Sequence, residues 1–140
     1  MNSDNTIHLI GRIKEEANKL IKKELKELGI DNLAPSHGDI LAVLFNYEEL
    51  TKTEIAEKIN RDRSTVTTLV NKLLKLRLVD SKENPEDRRS NKIYLTKKGK
   101  ELKTGFTKIS EKLYKIQYKD ITEEEREVFR RVLKKMHKNF

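Results

Sequence analysis

Residues 51–95 carry the pattern that most restricts the fold, because two short helical segments joined by a tight turn are followed by two strand-like segments around a polar turn. Thr51 and Glu54 have the spacing of a capping box, which predicts the start of the first helix. Asp62 is a suitable N-cap for the second. Four apolar residues of the second helix recur at i, i+3, i+4 and i+7 and are predicted to be buried: Val66, Leu69, Val70 and Leu73. The pattern predicts a helix-turn-helix unit.

The strand-like segments, residues 78–82 and 91–95, flank a turn at residues 84–87 and predict a β-hairpin. Its loop is too polar for a core, so we expect a small wing beside the helices. The second helix presents short polar side chains, which can reach base edges and phosphates. The hairpin tip carries Arg88 and Arg89. Together these features favour DNA binding.

Long amphipathic helices are predicted on both sides of this unit. Apolar spacing predicts one helix over residues 6–28, which Gly29 ends, and another that Ser36 caps with Asp39 at the third helical position. Thr96 can cap a further helix with a heptad stripe formed by Leu102, Phe106, Ile109, Leu113 and Ile116. A capping box at Thr122 and Glu125 opens the last helix. We expect these apolar faces to form a dimer interface, with an intramolecular three-helix bundle as the alternative.

Positive charge is concentrated in the middle of the chain. Residues 61–104 contain thirteen Lys or Arg and six Asp or Glu, whereas the formal net charge of the whole chain is +8. A basic stripe of this kind is typical of phosphate binding. A solvated lysine-rich face is the alternative reading of the same composition.

Several other classes of protein find no support in the sequence. The chain has no cysteine, no run of about 18 apolar residues and no secretory signal pattern, so we expect a cytoplasmic protein that does not span a membrane. His8, His37 and His137 are scattered without metal-ligand spacing, and no catalytic motif is present. A zinc-sensing site built on His8, His37 and acidic neighbours is the alternative, but two histidines without cysteine seldom complete a four-ligand site. We therefore expect no enzyme activity, cofactor or metal.

In order and spacing, three segments resemble the MarR family of winged-helix transcription regulators: residues 50–56, residues 63–70 with Arg63-Ser64-Thr65-Val66-Thr67, and Asp87-Arg88-Arg89 followed by Leu95-Thr96-Lys97-Lys98-Gly99. The resemblance covers essentially the whole chain. It implies a mainly α fold with a small β-wing in a single domain over residues 1–140. The winged helix-turn-helix lobe would comprise residues 35–99, and residues 1–34 and 100–140 would form the helical dimerisation region.

The same resemblance implies an obligate homodimer on double-stranded DNA, with recognition helices in successive major grooves and wings in the flanking minor grooves. Family members typically repress transcription and release a pseudo-palindromic operator when a small molecule binds. The family usually has glycine just after the recognition helix, where this chain has Arg77. Arg77 is expected to end the helix without the left-handed geometry that glycine adopts easily. Its side chain is a candidate for a phosphate contact.

The residues expected to bind DNA are Arg63, Ser64, Thr65, Thr67, Thr68, Asn71, Lys72, Lys82, Arg88, Arg89 and Lys92. Arg89 matches the arginine that the family sends into the minor groove. Asp87 is expected to position the neighbouring arginines through charge-assisted hydrogen bonds. By analogy with the family, a small aromatic or anionic effector would bind among His8, Arg12, His37, Tyr47 and Tyr114. A non-specific nucleoid or RNA-binding module without an effector remains the alternative function.

Overall fold

A computed structural model gives the fold of residues 3–30 and 32–140. In chain order the elements are α1 (Thr6–Glu27), α2 (Pro35–Asn46), β1 (Leu50–Thr51), α3 (Lys52–Ile59), α4 (Arg63–Lys75), β2 (Val79–Glu83), β3 (Asn91–Leu95), α5 (Lys97–Lys100), α6 (Lys103–Gln117) and α7 (Glu123–Lys138). The mainly α fold with a small β-wing is confirmed.

Short polar side chains begin most of the helices where the sequence predicts them. Thr51 Oγ1 accepts from the Glu54 N–H at 3.1 Å, and Glu54 Oε1 accepts from the Thr51 N–H at 2.9 Å. Thr122 and Glu125 form the same reciprocal box at α7, while Asp62 and Thr96 each accept from the backbone N–H three residues later at α4 and α5. Each cap satisfies a backbone donor that has no partner within its helix.

The predicted start of α2 at Ser36 is wrong. This helix begins at Pro35, whose fixed φ suits the first helical position. His37 lies at the third position, and its Nδ1 accepts from the Ala34 N–H at 2.9 Å. The His37 imidazole therefore makes the hydrogen bond at the start of α2, where the Ser36 hydroxyl and the Asp39 carboxylate were predicted to act.

Arg77 adopts the left-handed conformation, contrary to expectation, with a φ of 59°. Its N–H donates to Leu74 O at 3.0 Å, and the Leu78 N–H donates to Leu73 O at 3.1 Å. These two bonds form a Schellman motif, which satisfies carbonyls at the end of α4. A non-glycine residue thus directs the chain from α4 into the wing at some conformational cost.

A third strand that the sequence analysis missed anchors the wing. β1 pairs with β3, which also pairs with β2, so the antiparallel sheet has the order β1-β3-β2. Leu50 lies opposite Ile93, and both side chains are buried. The hairpin is therefore attached to the start of α3, because β1 ends where α3 begins.

The predicted helix after Thr96 is interrupted, so α5 and α6 are separate elements. Gly99 lies against the backbone of Leu78, where an added Cβ would stand 2.1 Å from Leu78 O. The Thr96 N–H also donates to Leu78 O, at 3.1 Å. This close approach holds α5 to the base of the wing, and the chain turns before α6 runs along α1 and α2.

The heptad stripe of α6 was assigned to a dimer interface, but its first half packs inside the protomer. Leu102, Phe106 and Ile109 contact the hydrophobic core. The Phe106 ring meets that of Phe45 edge-on, with centroids 5.4 Å apart. Only the end of the stripe is strongly exposed, at Ile116.

Helix α7 has an apolar face but no buried residue. Val128 and Phe129 remain 47% and 51% exposed. Together with Ile10 and Ile13 of α1, they line an open groove of about 940 Å³. This protomer therefore leaves a continuous apolar surface uncovered between α1 and α7.

Within the ranges 3–30 and 32–140, no helix is both long enough and apolar enough to cross a membrane.

Candidate nucleic-acid interface

Burial of one face of α4 determines which of its side chains reach solvent. Val66, Val70 and Leu73 are fully buried. The opposite face is formed by residues at steps of four, three and four, all of them exposed: Ser64, Thr68, Asn71 and Lys75. Thr65 and Thr67 lie half-buried at its margins. The exposed row presents polar groups for about three turns.

Asp62 organises the beginning of this face. Its carboxylate accepts from the Thr65 N–H at 3.1 Å and from Thr65 Oγ1 at 2.6 Å, and also from Ser64 Oγ. Hydrogen bonds from Ser64, and then from Thr65, hold the pKa of Asp62 well below its usual value. Both hydroxyl protons are thereby bound to Asp62, which leaves the lone pairs of Ser64 and Thr65 as acceptors.

Lys72 does not belong to the exposed row. It is half-buried, and its Nζ donates to the carbonyl of Asn32 in the loop between α1 and α2. It also lies near His37, whose pKa is lowered first by burial and then by the charge of Lys72. The structure thus gives Lys72 an intramolecular contact, whereas the sequence analysis expected a DNA contact.

The wing tip is built around Asn84, which is buried although it is polar. Its Oδ1 accepts from the Glu86 N–H at 3.1 Å, and its Nδ2 donates to Ser90 Oγ at 3.2 Å. Asn84 therefore closes the loop from both sides and fixes the backbone on which the two arginines stand. The Asn-Pro dipeptide at residues 84–85 is the turn signal in the sequence.

Asp87 contacts one of the two arginines. Its Oδ1 accepts from the Arg89 N–H at 3.0 Å and lies 3.5 Å from Arg89 Nε. The Arg89 side chain is nevertheless 94% exposed. Arg88 points elsewhere, with its Nε 3.8 Å from Glu83 Oε1. The positioning role of Asp87 stays a prediction, and the geometry gives it a partner in Arg89.

Arg63 and Arg89 come from different elements but line one notch of about 450 Å³, which also includes Thr51, Thr53, Asp87 and Ser90. The pairing of β1 with β3 produces this arrangement, because it places the wing beside the start of α3. Two guanidinium groups beside two threonine hydroxyls form a surface suited to a phosphate group.

Lys82 and Lys92 stand opposite each other across the β2–β3 pair and both contact Glu49. The hydrogen bond with Glu49 is the main cause that raises the pKa of Lys82. Lys82 also lines a cavity between α2 and the base of the wing. The DNA contacts expected of both lysines stay predictions.

The five proposed effector residues do not line a common cavity in the described part of the protomer. His8 and Arg12 are exposed on α1, and His37 is buried as the partner of the Ala34 N–H. Tyr47 lines the cavity of about 530 Å³ that also includes Lys82. Tyr114 lines a different groove, between α6 and α7.

Three residues of this surface were absent from the predicted site. Lys75 is four residues after Asn71, so helical periodicity was sufficient to find it. Thr53 carries no local signal, because its place in the notch depends on the pairing of β1 with β3. Glu49 likewise meets Lys82 and Lys92 only through the sheet.

Over residues 3–30 and 32–140, no group of three or more His, Asp or Glu side chains has a metal-binding arrangement.

A helix-turn-helix beside an arginine-tipped wing defines a winged-helix DNA-binding protein. The sequence model of the MarR family matches residues 33–91. The HTH-type transcriptional regulator PrsX of Escherichia coli is 30% identical over 132 residues, which cover 92% of this chain and 80% of PrsX. The chain therefore belongs to the MarR family of DNA-binding transcription regulators.

Two further comparisons agree with this assignment. The uncharacterized HTH-type transcriptional regulator YdgJ of Bacillus subtilis is 27% identical over 107 residues, which span 76% of this chain but only 65% of YdgJ. The structure of a MepR–DNA complex from S. aureus superimposes with a TM-score of 0.87 at 27% identity, covering 95% of this chain and 96% of MepR. Family and relatives are transcription regulators rather than enzymes, and MarR proteins are dimers.

Proposed function

We propose that this protein is a cytoplasmic, dimeric repressor that binds a pseudo-palindromic operator and releases it when a small aromatic or anionic effector binds. Residues 35–99 form the DNA-binding lobe, and residues 1–34 and 100–140 form the dimerisation region. The observation that carries the proposal is the notch that Arg63 of α4 and Arg89 of the wing both line.

The notch lies between α4 and the wing, the two elements proposed to contact DNA. Arg63 begins α4, and the exposed row from Ser64 to Lys75 continues from it along the helix. A phosphate held between Arg63 and Arg89 would set the depth of α4 in the major groove, because phosphate contacts determine register and orientation. Asn71 and Lys75 then read base edges, and Arg89 continues toward the minor groove.

The uncovered apolar surface supports a dimer. Exposed apolar side chains of α1, among them Ile7 and Ile13, line shared grooves with those of α7, among them Val128 and Leu133. Contiguous patches of this kind mark protein interfaces. A second copy would cover them and place two recognition helices on one duplex, which is the geometry that a palindromic site requires.

The effector proposal rests on the cavity between α2 and the base of the wing. Tyr47 and Tyr94 supply aromatic surface there, while Lys82 supplies a cation that is now paired with Glu49. An aromatic carboxylate would compete with Glu49 for Lys82 and so disturb the attachment of the wing. Benzoate serves as the probe, and it should dissociate the operator complex of the native chain. Lys82→Met already lacks the pair with Glu49, so it should bind the operator more weakly than the native chain and show no further response to benzoate.

Selection of bound duplexes from a random pool tests the proposed specificity. We expect a recovered pseudo-palindrome to bind about 10³-fold more tightly than random duplex at the same salt concentration. Asn71→Ala with Lys75→Ala should lose most of this difference, because both side chains are placed at base edges, whereas Lys22→Ala on exposed α1 should keep it. Arg63→Ala should weaken binding to both duplexes alike. No enrichment, or equal affinity for all duplexes, would favour the non-specific nucleoid function and overturn the proposal.

A further inference from the structure

A second basic surface lies on the terminal helices, in the groove between α6 and α7. Tyr114 of α6 and seven residues of α7 line this groove, which has a volume of about 750 Å³. Six of those seven are Arg or Lys, and the other is Glu127. We call it the α7 groove.

Helix electrostatics alone do not account for this charge. Cations in the last turn of a helix are stabilised by its dipole, which accounts for Lys135 and Lys138. Arg126 lies in the first turn, however, and Arg130 and Arg131 lie at the middle of α7. Like charges four residues apart repel one another, and Arg126, Arg130 and Lys134 stand at that spacing. Glu127 stands three and four residues before Arg130 and Arg131, so one carboxylate lies among six cations and the groove keeps a strong positive charge.

One wall of the groove is fixed within the protomer. The Arg126 guanidinium carbon lies 5.5 Å from the Tyr114 ring centre and 5.7 Å from that of Tyr118, and the two rings are themselves in edge contact. Arg126 also lies 3.7 Å from Glu123. Among the described residues, the groove cations beyond Arg126 have no carboxylate within ion-pair distance. Those five cations are available to a ligand.

The apolar face of α7 lines the apolar surface shared with α1, which adjoins the α7 groove at Arg126. A helix that enters a lipid surface needs its apolar face for that purpose, whereas the dimer proposed above occupies that face. The groove itself offers cations and a tyrosine ring, and none of its lining residues is Val, Ile, Leu, Met or Phe. Such a surface matches the phosphate backbone of a nucleic acid, in which charge dominates affinity and aromatic rings stack on bases.

The dimensions agree with this ligand. Residues 126–138 extend about 18 Å along the helix, at about 1.5 Å per residue. Duplex DNA carries about one phosphate per 1.7 Å of its axis. A duplex lying along α7 therefore presents enough phosphates for all six cations.

We propose that the α7 groove binds a second segment of double-stranded DNA, separate from the segment held by the winged-helix lobe. The dimer would then carry two operator-reading surfaces and two accessory grooves, and it would bridge DNA segments. This activity goes beyond operator recognition, and it requires neither the wing nor an effector.

A bridging assay tests the proposal. Full-length protein is bound to bead-immobilised operator duplex from the selection, and a labelled random duplex is then added. We expect the native protein to retain the label. The triple variant Arg130→Gln, Arg131→Gln, Lys134→Gln should retain at least about tenfold less, with operator affinity and light-scattering mass unchanged. Lys22→Gln, Lys23→Gln, Lys26→Gln removes the same charge from exposed α1 and should retain the label.

A second arm does not depend on operator recognition. The Arg63→Ala, Arg89→Ala double variant removes the notch, and its remaining binding to random duplex is measured at several salt concentrations. Adding the three α7 changes should reduce the slope of log affinity against log salt concentration by about 2 to 3, as expected for three lost phosphate contacts. Retention by the α7 triple variant, or equal loss from both triple variants, would overturn the groove assignment. Binding to anionic vesicles without capture of duplex would overturn it in favour of a lipid surface.

Discussion

The winged-helix lobe and the terminal helices are built from similar amphipathic segments but bury them differently. In α4, Leu73 is fully buried against neighbouring elements of the same chain. In α7, Val132 sits on an equally regular apolar face yet remains 45% exposed. The core of the lobe is complete within one protomer, whereas the apolar surface of α1 and α7 stays uncovered until a second protomer packs against it. Amphipathic periodicity thus predicts a buried face, but not what buries it.

The largest expected effect is on the core of the lobe. Leu73→Ala should lower the free energy of unfolding by about 2–5 kcal/mol, because it removes a fully buried side chain and leaves a cavity. Leu133→Ala is the matched change on α7, and its cost should depend on protein concentration, because a dimer is stabilised by mass action. Denaturant titrations at two protein concentrations measure both. A concentration-independent cost for Leu133→Ala would contradict the contrast between the two regions.

Disrupting the open apolar face should separate the protomers without unfolding the lobe. Val128→Asp with Phe129→Asp should weaken dimerisation at least a hundredfold, about 2.8 kcal/mol, because two charges would enter the interface. Light scattering and circular dichroism report mass and helix content. Lys115→Asp with Lys119→Asp, both at exposed positions, is the matched control.

The same measurement on α6 separates the two regions further. Phe106→Asp with Ile109→Asp should unfold the lobe, because both side chains pack against its core. A folded monomer from that pair, or an intact dimer from the α7 pair, would reverse the assignment of the two faces.

The two adjacent wing arginines should differ in their effect on DNA. Arg89→Ala should weaken operator binding by about 1–3 kcal/mol, because it removes a side chain from the notch that Arg63 also lines. Arg88→Ala should cost less, because its guanidinium lies near Glu83 and away from the notch. Titrations at fixed salt compare them. The opposite ranking would mean that the wing presents its other face to DNA.

The smallest effect concerns the joint between the recognition helix and the wing. Arg77→Gly should raise the free energy of unfolding by about 0.5 kcal/mol, because glycine relieves the left-handed strain but loses more chain entropy. Lys75→Gly, only two residues earlier but still helical, should lower it by about 1 kcal/mol. Thermal unfolding of both variants tests this, and a stability loss from Arg77→Gly would show that the arginine makes a compensating contact.

Local signals predicted the helices and the wing well. Capping residues such as Thr51 and Asp62 act on neighbours three residues away, so their effect is visible in the sequence. The start predicted at Ser36 was wrong, because Pro35 begins α2 and the His37 imidazole accepts the backbone hydrogen bond at its start. The separation of α5 from α6 was missed, because the close approach of Gly99 to Leu78 joins residues far apart in the chain.

The same distinction applies to the candidate site. The sequence placed Arg63 on the recognition helix and Arg89 on the wing, but the pairing of β1 with β3 brings them to one notch. The sequence also predicted a DNA contact for Lys72, whose amine donates to the Asn32 carbonyl in the structure. Helical periodicity separates the buried face of a helix from the opposite face, but it does not predict the contacts of residues between the two faces.

By itself, the sequence determined the family, the order of the long helices and the wing hairpin, and the excess of positive charge around the recognition helix and wing. These depend on composition, short-range capping and apolar periodicity, which act over a few residues. The tertiary structure decided which cations are free and which are paired. That choice requires the three-dimensional position of carboxylates such as Glu49, 33 residues before its partner Lys82. Coulomb interactions depend on distance in space, so the fold decides which charges remain available to DNA.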